Sequence, residues 1–171
     1  MSDLFRFPNP VNEVAARTVA AGVVLLSVTT LVLSAALGSG WLWLTAPLAY
    51  GFLARVATGP TLSPLGQLAT RVVAPRLGPA RPVAGPPKRF AQLLGSIMSV
   101  LAVVLHFGFG LDGLTQVVLG LIVVAAVLES AFAICVGCVI FGRLMRLGLI
   151  PEDTCEACAN VSLRHSTVAR A

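Results

Sequence analysis

Charged side chains are scarce in this sequence, because Asp, Glu, Lys and Arg together make up only 11% of its 171 residues. A soluble domain contains about 25% charged residues, which help to cover its surface. Hydrophobic residues make up 57% of the chain, and the mean hydropathy is +0.91. The shortage of charge excludes an ordinary soluble domain and predicts a protein whose solvent is the lipid bilayer.

A dense basic patch is also missing. The formal net charge is +5, but Lys and Arg stand between apolar segments instead of along one polar face. Nucleic-acid-binding domains concentrate their basic residues, so we predict no nucleic-acid partner.

The N-terminus lacks the basic start and the short hydrophobic run of about 7–15 residues that mark a signal peptide. The first apolar segment is therefore expected to stay in the protein.

The apolar residues are gathered into four long segments. About 20 apolar residues in helical conformation cross a bilayer. We predict transmembrane helices over residues 14–37, 41–57, 90–110 and 114–147. Residues 58–89 are predicted to form a central loop, and residues 148–171 a tail. As an unbroken helix the fourth segment would be about 50 Å long, more than the bilayer core needs, so it is expected to tilt, kink or project into water.

The basic residues also predict the topology. The turns at 38–40 and 111–113 contain no Lys or Arg, whereas the N-terminus, the central loop and the tail contain nearly all of them. Basic residues near helix ends remain on the cytoplasmic side. We predict an all-α, multi-pass membrane protein with two helical hairpins, a cytoplasmic central loop, and both termini in the cytoplasm.

Three local patterns refine this prediction. Residues 65–73 have a loosely helical pattern of apolar side chains that favours a short amphipathic helix at the membrane surface. Glu13 and Arg17 are four residues apart and are expected to pair at the start of the first helix. Trp41 and Trp43 suit the interface between lipid and water.

No cysteine lies outside two CxxC motifs. The first motif is Cys135-Val-Gly-Cys138, and the second is Cys155-Glu-Ala-Cys158. Two CxxC motifs separated by about 15–20 residues are typical of a zinc ion bound by four thiolates. A zinc site built from all four cysteines is therefore one hypothesis for this region.

Two physical arguments oppose the zinc hypothesis. The first motif lies inside the fourth apolar segment, where a site with two net negative charges is costly. In an unbroken helical hairpin the two motifs would also lie at different heights, so that they meet only if a helix breaks, for example at Gly142.

Redox or sulfur chemistry places fewer requirements on the fold than a zinc site built from four cysteines. Two cysteines three residues apart can form a disulfide, and the end of a helix can lower the pKa of a thiol. Cys135 and Cys138 are the candidate reactive pair. Pro151 is expected to begin a short tail helix that carries the second motif, whose acidic neighbours disfavour thiolates.

Glu129 and His106 are ionisable residues inside apolar segments. A charged side chain at such a position costs about 2.5–3.5 kcal/mol on insertion scales and is a candidate for function. We consider the two residues a plausible pair. The alternative interpretation is that each is neutral and hydrogen-bonded to another helix in the bundle interior.

Several short stretches together resemble a family of bacterial membrane proteins known as the domain of unknown function numbered 4395. The resemblance covers most of the chain, and the matching stretches are residues 7–12, 85–91, Glu129 and 135–138. It implies a compact membrane domain in the bacterial cytoplasmic (inner) membrane, without an assigned reaction. Related proteins are sometimes joined to, or encoded near, thioredoxin-like or sulfurtransferase proteins, which implies a thiol-active partner.

Three functions follow from these observations. The first is a membrane thiol protein in which Cys135 and Cys138 exchange reducing equivalents or sulfur with a thioredoxin-like or sulfurtransferase partner. The second is a non-enzymatic scaffold or accessory subunit with a structural zinc site. The third is a small-solute transporter that uses Glu129 and His106. A classical enzyme is not expected.

Overall fold

Helices account for most of residues 7–155, which are the residues that the computed structural model describes. The described chain begins with a short strand, β1 (Val11–Asn12), and continues directly into helix α1 (Glu13–Leu37). The Asn12 side chain caps this helix by accepting a hydrogen bond of 3.0 Å from the Val14 N–H. Such a cap satisfies one of the N–H groups that have no partner inside the helix.

The segment after α1 contains a 3-10 helix (Ser39–Leu44), α2 (Thr45–Thr58), α3 (Pro64–Leu68), a π-helical turn (Ala69–Val73), α4 (Ala74–Leu77) and β2 (Pro82–Val83). The second half of the chain contains α5 (Gly85–Val103), a second π-helical turn (Val104–Gly108), α6 (Asp112–Phe132), α7 (Val136–Arg146) and a 3-10 turn (Glu152–Cys155).

Three of the described helical segments are long and apolar enough to cross a membrane. They are Glu13–Leu37, Gly85–Gly108 and Asp112–Phe132. Large apolar side chains on these segments, including Leu25 and Val124, are exposed at 71% and 59%. Exposed apolar side chains along long helices are what a lipid environment requires, so the prediction of a helical membrane protein is confirmed at this level.

The core lies where four helices meet. Helix α1 packs against α6, α2 packs against α5, and α5 also contacts α6 and α7. Large buried side chains fill the space between them, namely Val23, Leu42, Leu48, Phe52, Leu119 and Ile122. Gly95 allows the close approach of α2 and α5, because a Cβ atom at this position would lie 2.2 Å from the Phe52 ring.

A small two-stranded sheet joins the start of the described chain to the middle of the sequence. Val11 pairs with Val83 and Asn12 pairs with Pro82, in antiparallel orientation. The Gly85 N–H also donates a hydrogen bond of 3.0 Å to Asn9 Oδ1. These contacts bring the beginning of α1 next to the beginning of α5.

The fourth predicted segment, 114–147, was expected to tilt, kink or project into water, and in the structure it is divided into two helices. Helix α6 ends at Phe132, α7 begins at Val136, and the three residues between them are not helical. Gly142, the residue at which the sequence most favours a break, lies inside α7. At this end Ala133 adopts a left-handed conformation, and the guanidinium group of Arg17 donates hydrogen bonds of 2.9 and 3.1 Å to the Ser130 carbonyl. That contact satisfies a carbonyl group at the C-terminus of α6.

The same contact explains why the predicted pairing of Glu13 with Arg17 does not form. Arg17 Nη2 also lies 3.3 Å from the Ala131 carbonyl oxygen, so its donors are directed to α6. Sequence spacing within one helix indicates which side chains can meet. It contains no information about a carbonyl group on another helix, which here provides the better partner.

The predicted boundaries differ in two further places. Helix α5 begins at Gly85, before the predicted start at residue 90, since Pro86 and Pro87 fit in a first helical turn, where prolines are tolerated. The predicted loop 58–89 contains helical structure from Pro64 to Leu77, which confirms a helix over 65–73. After Pro151 the described part of the tail forms a 3-10 turn, Glu152–Cys155, and the rest of the predicted tail helix lies outside the described residues.

Candidate functional site

The first CxxC motif lies at the break between α6 and α7. Cys135 is the N-terminal capping residue of α7, and its sulfur accepts a hydrogen bond of 3.4 Å from the Cys138 N–H. Both cysteines are free thiols, and their sulfur atoms are 2.6 Å apart. Cys135 is buried and Cys138 is half-buried. The two sulfurs are therefore held where oxidation can join them with little movement of the backbone.

A glycine inside the motif brings this helix close to α5. A Cβ atom on Gly137 would lie 2.5 Å from the Ala91 Cα atom and 2.6 Å from its Cβ atom. The contact involves backbone, which cannot move aside as a flexible side chain can. Glycine is therefore required at this position for α7 to pack on α5 at the observed distance.

An ion pair lies beside the thiols. Lys88, in the first turns of α5, places Nζ 2.7 Å from Oε1 of Glu129 near the end of α6. The two side chains are only 11% and 17% exposed. A buried carboxylate and a buried ammonium group each carry a large desolvation penalty, which their contact offsets. Glu129 is thus an interior polar residue, as predicted, but its partner is Lys88.

The electrostatic environment distinguishes the two thiols. The hydrogen bond from the Cys138 thiol lowers the pKa of Cys135, and Lys88 acts in the same direction against burial and the Glu129 charge. Ionisation of Cys138 would break that hydrogen bond, and this cost together with burial raises the pKa of Cys138. A thiolate is the nucleophilic form of cysteine. Cys135 is therefore the residue of this pair that is prepared for nucleophilic attack.

A cavity of about 330 Å³ extends from Cys135 into the helix bundle. Its polar wall contains Cys135, Glu129 and Gln92. The rest of the wall is largely apolar and includes Val19, Val23, Phe52, Met98, Ile122 and Ile140. A largely apolar pocket with a few convergent polar groups has the usual features of a binding site for a small molecule or a peptide side chain.

The second CxxC motif is only partly within the described residues. Cys155 is buried in a small cluster with Phe141 and Met145, whereas Cys158 lies outside the described residues. Within residues 7–155, no three His, Cys, Asp or Glu side chains form a group that could hold a metal ion. The described part of the chain thus brings Cys135 and Cys138 together without a third ligand, and the four-cysteine hypothesis depends in part on Cys158.

His106 does not join this site. Its Nδ1 atom lies 2.7 Å from Oδ1 of Asp112, across the turn that connects the second π-helical turn to α6. The expected pairing of His106 with Glu129 is therefore wrong. A short turn provides His106 with a nearby carboxylate, while Glu129 has Lys88 as its partner.

A family model matches residues 11–146, a range that includes all of the residues around the thiol pair. Its description is domain of unknown function (DUF4395). The chain belongs to this family. Membership in DUF4395 confirms the resemblance inferred from the short sequence stretches, and it assigns no reaction. No curated protein and no solved structure matches the chain.

Sequence reasoning on this DUF4395 chain did not identify Lys88, Arg55 and Gln92 as parts of the polar interior. Arg55 Nε donates a hydrogen bond of 2.9 Å to Gln92 Oε1, and Arg55 is only 5% exposed. Arg55 is a basic residue inside an apolar segment, which is a signal for function equal to that of Glu129. Lys88 carries a weaker signal, since it stands at a segment boundary where basic residues usually fix topology.

Proposed function

We propose that this protein is a membrane thiol protein whose Cys135–Cys138 pair exchanges electrons with a thioredoxin-like partner. The observation that carries the proposal is the pair of free sulfurs 2.6 Å apart at the start of α7. Two cysteines with one lowered pKa, at a helix N-terminus and beside a lysine, are typical of thiol–disulfide exchange. The partner class rests on the chemistry of the site, because the group that accepts a thiolate in this exchange is a disulfide.

The reaction balances with the two cysteines and one partner disulfide. The Cys135 thiolate attacks a sulfur of the partner, which forms a mixed disulfide and releases one partner thiolate. Cys138 then gives up its proton and attacks the Cys135 sulfur, which releases the second partner thiolate. The membrane protein becomes a disulfide and the partner becomes a dithiol. Two electrons and two protons pass to the partner, and the reverse sequence reduces the membrane protein.

We propose further that the chain crosses the bacterial cytoplasmic membrane four times, in two hairpins. Helix α2 and the 3-10 helix before it cover residues 39–58, a length near that of one crossing. Exposed arginines gather in the segments between α2 and α5 and after α6, namely Arg71, Arg76, Arg81, Arg143 and Arg146. This distribution supports cytoplasmic termini and a cytoplasmic central loop. The thiol pair would then face a cytoplasmic partner.

Trapping of the mixed disulfide tests the redox proposal. In the Cys138→Ser variant, Cys135 attacks the partner but nothing resolves the product, so a covalent adduct with an oxidised thioredoxin-like protein should accumulate on a non-reducing gel. The Cys135→Ser variant should give no adduct. The double variant Cys155→Ser, Cys158→Ser is the matched control, because it removes the second motif without leaving an unpaired thiol there and should leave adduct formation unchanged.

The alternative, a structural zinc site, predicts a different result. A scaffold with four zinc-bound cysteines would contain one zinc per chain by elemental analysis and would lose it in the Cys135→Ser variant. It would form no adduct and no reversible disulfide. Stoichiometric zinc together with unreactive thiols would contradict the redox proposal.

A further inference from the structure

Arg55, in the last turn of α2, is a buried cation without a carboxylate partner among the described residues. Its Nε donates to Gln92 Oε1 at 2.9 Å, and its Nη1 donates to Ser63 Oγ at 3.2 Å. Both acceptors are neutral. The guanidinium group also lies over the Phe52 ring, with 4.6 Å from Cζ to the ring centroid. None of these contacts neutralises its charge.

One nitrogen of this group has no acceptor at all. Arg55 Nη2 is buried and makes no hydrogen bond within residues 7–155. A buried donor without a partner costs about 1–3 kcal/mol, and more when the group is charged. Native proteins therefore provide such donors with an acceptor from the protein, from solvent or from a ligand.

The charges around Arg55 leave the interior with an excess of one positive charge. Among the described residues, three side chains of formal charge meet here, which are Arg55, Lys88 and Glu129. Glu129 already accepts a hydrogen bond from Lys88 at 2.7 Å. While the Cys135 thiol is protonated, two cations and one anion leave a net charge of about +1, and a buried charge without compensation is strongly unfavourable. A single additional negative charge would balance the group.

Space for that charge lies next to Arg55. A cavity of about 260 Å³ is lined by Arg55, Lys88 and Gln92. Its other walls come from the segment before α1, from α1 and from the loop after α2, and include Phe7, Pro8, Asn12, Ala15, Pro60 and Thr70. The cavity adjoins the one beside Cys135, and Ala16, Val19 and Gln92 line both. It is large enough for a small oxyanion, and no carboxylate of the described residues lines its wall.

We propose that this cavity is a binding site for a small monovalent oxyanion of the size of formate, nitrate or bicarbonate. Arg55 Nη2 donates to one of its oxygens, and Lys88 contributes its charge. Hydrogen bonds between ionised partners are about twice as strong as neutral ones. A bound anion would therefore both accept a hydrogen bond from the unpaired donor and balance the excess positive charge. The proposal does not require Cys135 to react with a partner, although Lys88 acts on both the anion site and the thiol.

Calorimetric titration of the full-length protein in non-ionic detergent tests the site. Nitrate or formate is added to the protein at constant ionic strength. The background anion is a bulky sulfonate that is too large to enter the cavity. We expect saturable binding of one anion per chain and a rise in the unfolding temperature. Arg55→Gln should abolish both effects.

Gln92→Glu separates loss of binding from loss of folding. It places a fixed carboxylate beside Arg55 and balances the charge from within the protein. Anion affinity should fall by at least about tenfold, while the variant unfolds at a temperature no lower than that of the anion-free wild type. Gln116→Glu is the matched control, because Gln116 bonds Ser34 away from the cavity and its variant should bind the anion as the wild type does.

Three results would overturn the proposal. The first is the absence of saturable binding for either anion. The second is equal affinity of the wild type and the Gln92→Glu variant. The third is stabilisation by anionic phospholipid in nanodiscs with no response to free anions, because the oxyanion at Arg55 would then be a lipid headgroup.

Discussion

Lys88 links the ion pair to the thiol pair at the level of single residues. Its ammonium group bonds Glu129 at 2.7 Å and contributes to the lowered pKa of Cys135. One cation thus interacts with two acidic groups, the Glu129 carboxyl group and the Cys135 thiol. Removal of Lys88 should therefore change the chemistry of a thiol that it does not bond directly.

The Lys88→Met variant tests this link through the pH dependence of alkylation at Cys135. Loss of the cation raises the thiol pKa, so the midpoint of the alkylation rate should move to higher pH. For a midpoint that rises by about one pH unit, the rate at neutral pH should fall about threefold, since the smaller thiolate fraction is partly offset by greater nucleophilicity. Mass spectrometry of maleimide adducts at each pH measures the profile.

Arg89→Met provides the control for this experiment. Arg89 is the next residue, is exposed, and carries the same charge as Lys88. Its loss should leave the profile unchanged, because an exposed charge is screened by water and salt. An identical profile for wild type and Lys88→Met would show that Lys88 does not tune the thiol.

At the level of elements, Gly137 sets the distance between α5 and α7. The Gly137→Ala variant adds a Cβ atom that would lie 2.5 Å from the Ala91 backbone. The helices must separate, which we expect to destabilise the protein by about 1–3 kcal/mol. The separation should also move Cys135 from Lys88 and slow its alkylation at neutral pH.

Gly142→Ala is the matched substitution in the same helix. A Cβ atom at Gly142 meets no atom within 4 Å. This variant should be more stable by about 0.5–1 kcal/mol, because alanine favours helix over glycine. Equal unfolding temperatures for the two variants would contradict the proposed role of Gly137.

Arg17 supports the end of α6 from a neighbouring helix. In the Arg17→Gln variant the Ser130 carbonyl loses both hydrogen bonds from the guanidinium group. We expect a loss of stability of about 1–3 kcal/mol and faster alkylation of Cys135, because the segment 133–135 is no longer fixed. Glu13→Gln should have little effect, since Glu13 does not pair with Arg17. Slower alkylation in Arg17→Gln would contradict this account.

The long helices could be predicted from the sequence, whereas the break before Cys135 could not. Helix α1 runs over Glu13–Leu37, within one residue of the predicted start, because a long apolar segment has few other ways to satisfy its backbone in lipid. Residues 130–136 contain neither Gly nor Pro, so no local signal marks the break. The end is supported by a contact with Arg17 on another helix, which no local pattern reveals.

The candidate site was predictable to a similar degree. The CxxC spacing predicted that Cys135 and Cys138 are adjacent, because three residues determine their distance. Lys88 and Glu129 are 41 residues apart, and their pairing depends on how α5 packs against α6. Sequence alone indicated that Glu129 is interior, since a carboxylate in an apolar segment must avoid lipid. It could not distinguish Lys88 from His106 as the partner.

For the whole molecule, the proposed topology predicts which segments face the cytoplasm. In a background where serine replaces all four cysteines, single cysteines are introduced by Gly40→Cys and Ala80→Cys, both at exposed positions. A membrane-impermeant maleimide should label residue 40 in intact cells and residue 80 only after permeabilisation. The opposite pattern would invert the topology and place the thiol pair outside the cytoplasm.

The contact between Arg17 and the Ser130 carbonyl joins positions 113 residues apart. Ribosomes produce Arg17 early and Ser130 late, so the end of α6 stays without this support until nearly the whole chain has been synthesised and α1 and α6 have met. Before that moment the sulfur atoms of the motif lack their final burial. The moment at which Cys135 becomes protected from alkylation in a pulse-labelled nascent chain would therefore show when assembly inside the bilayer is complete.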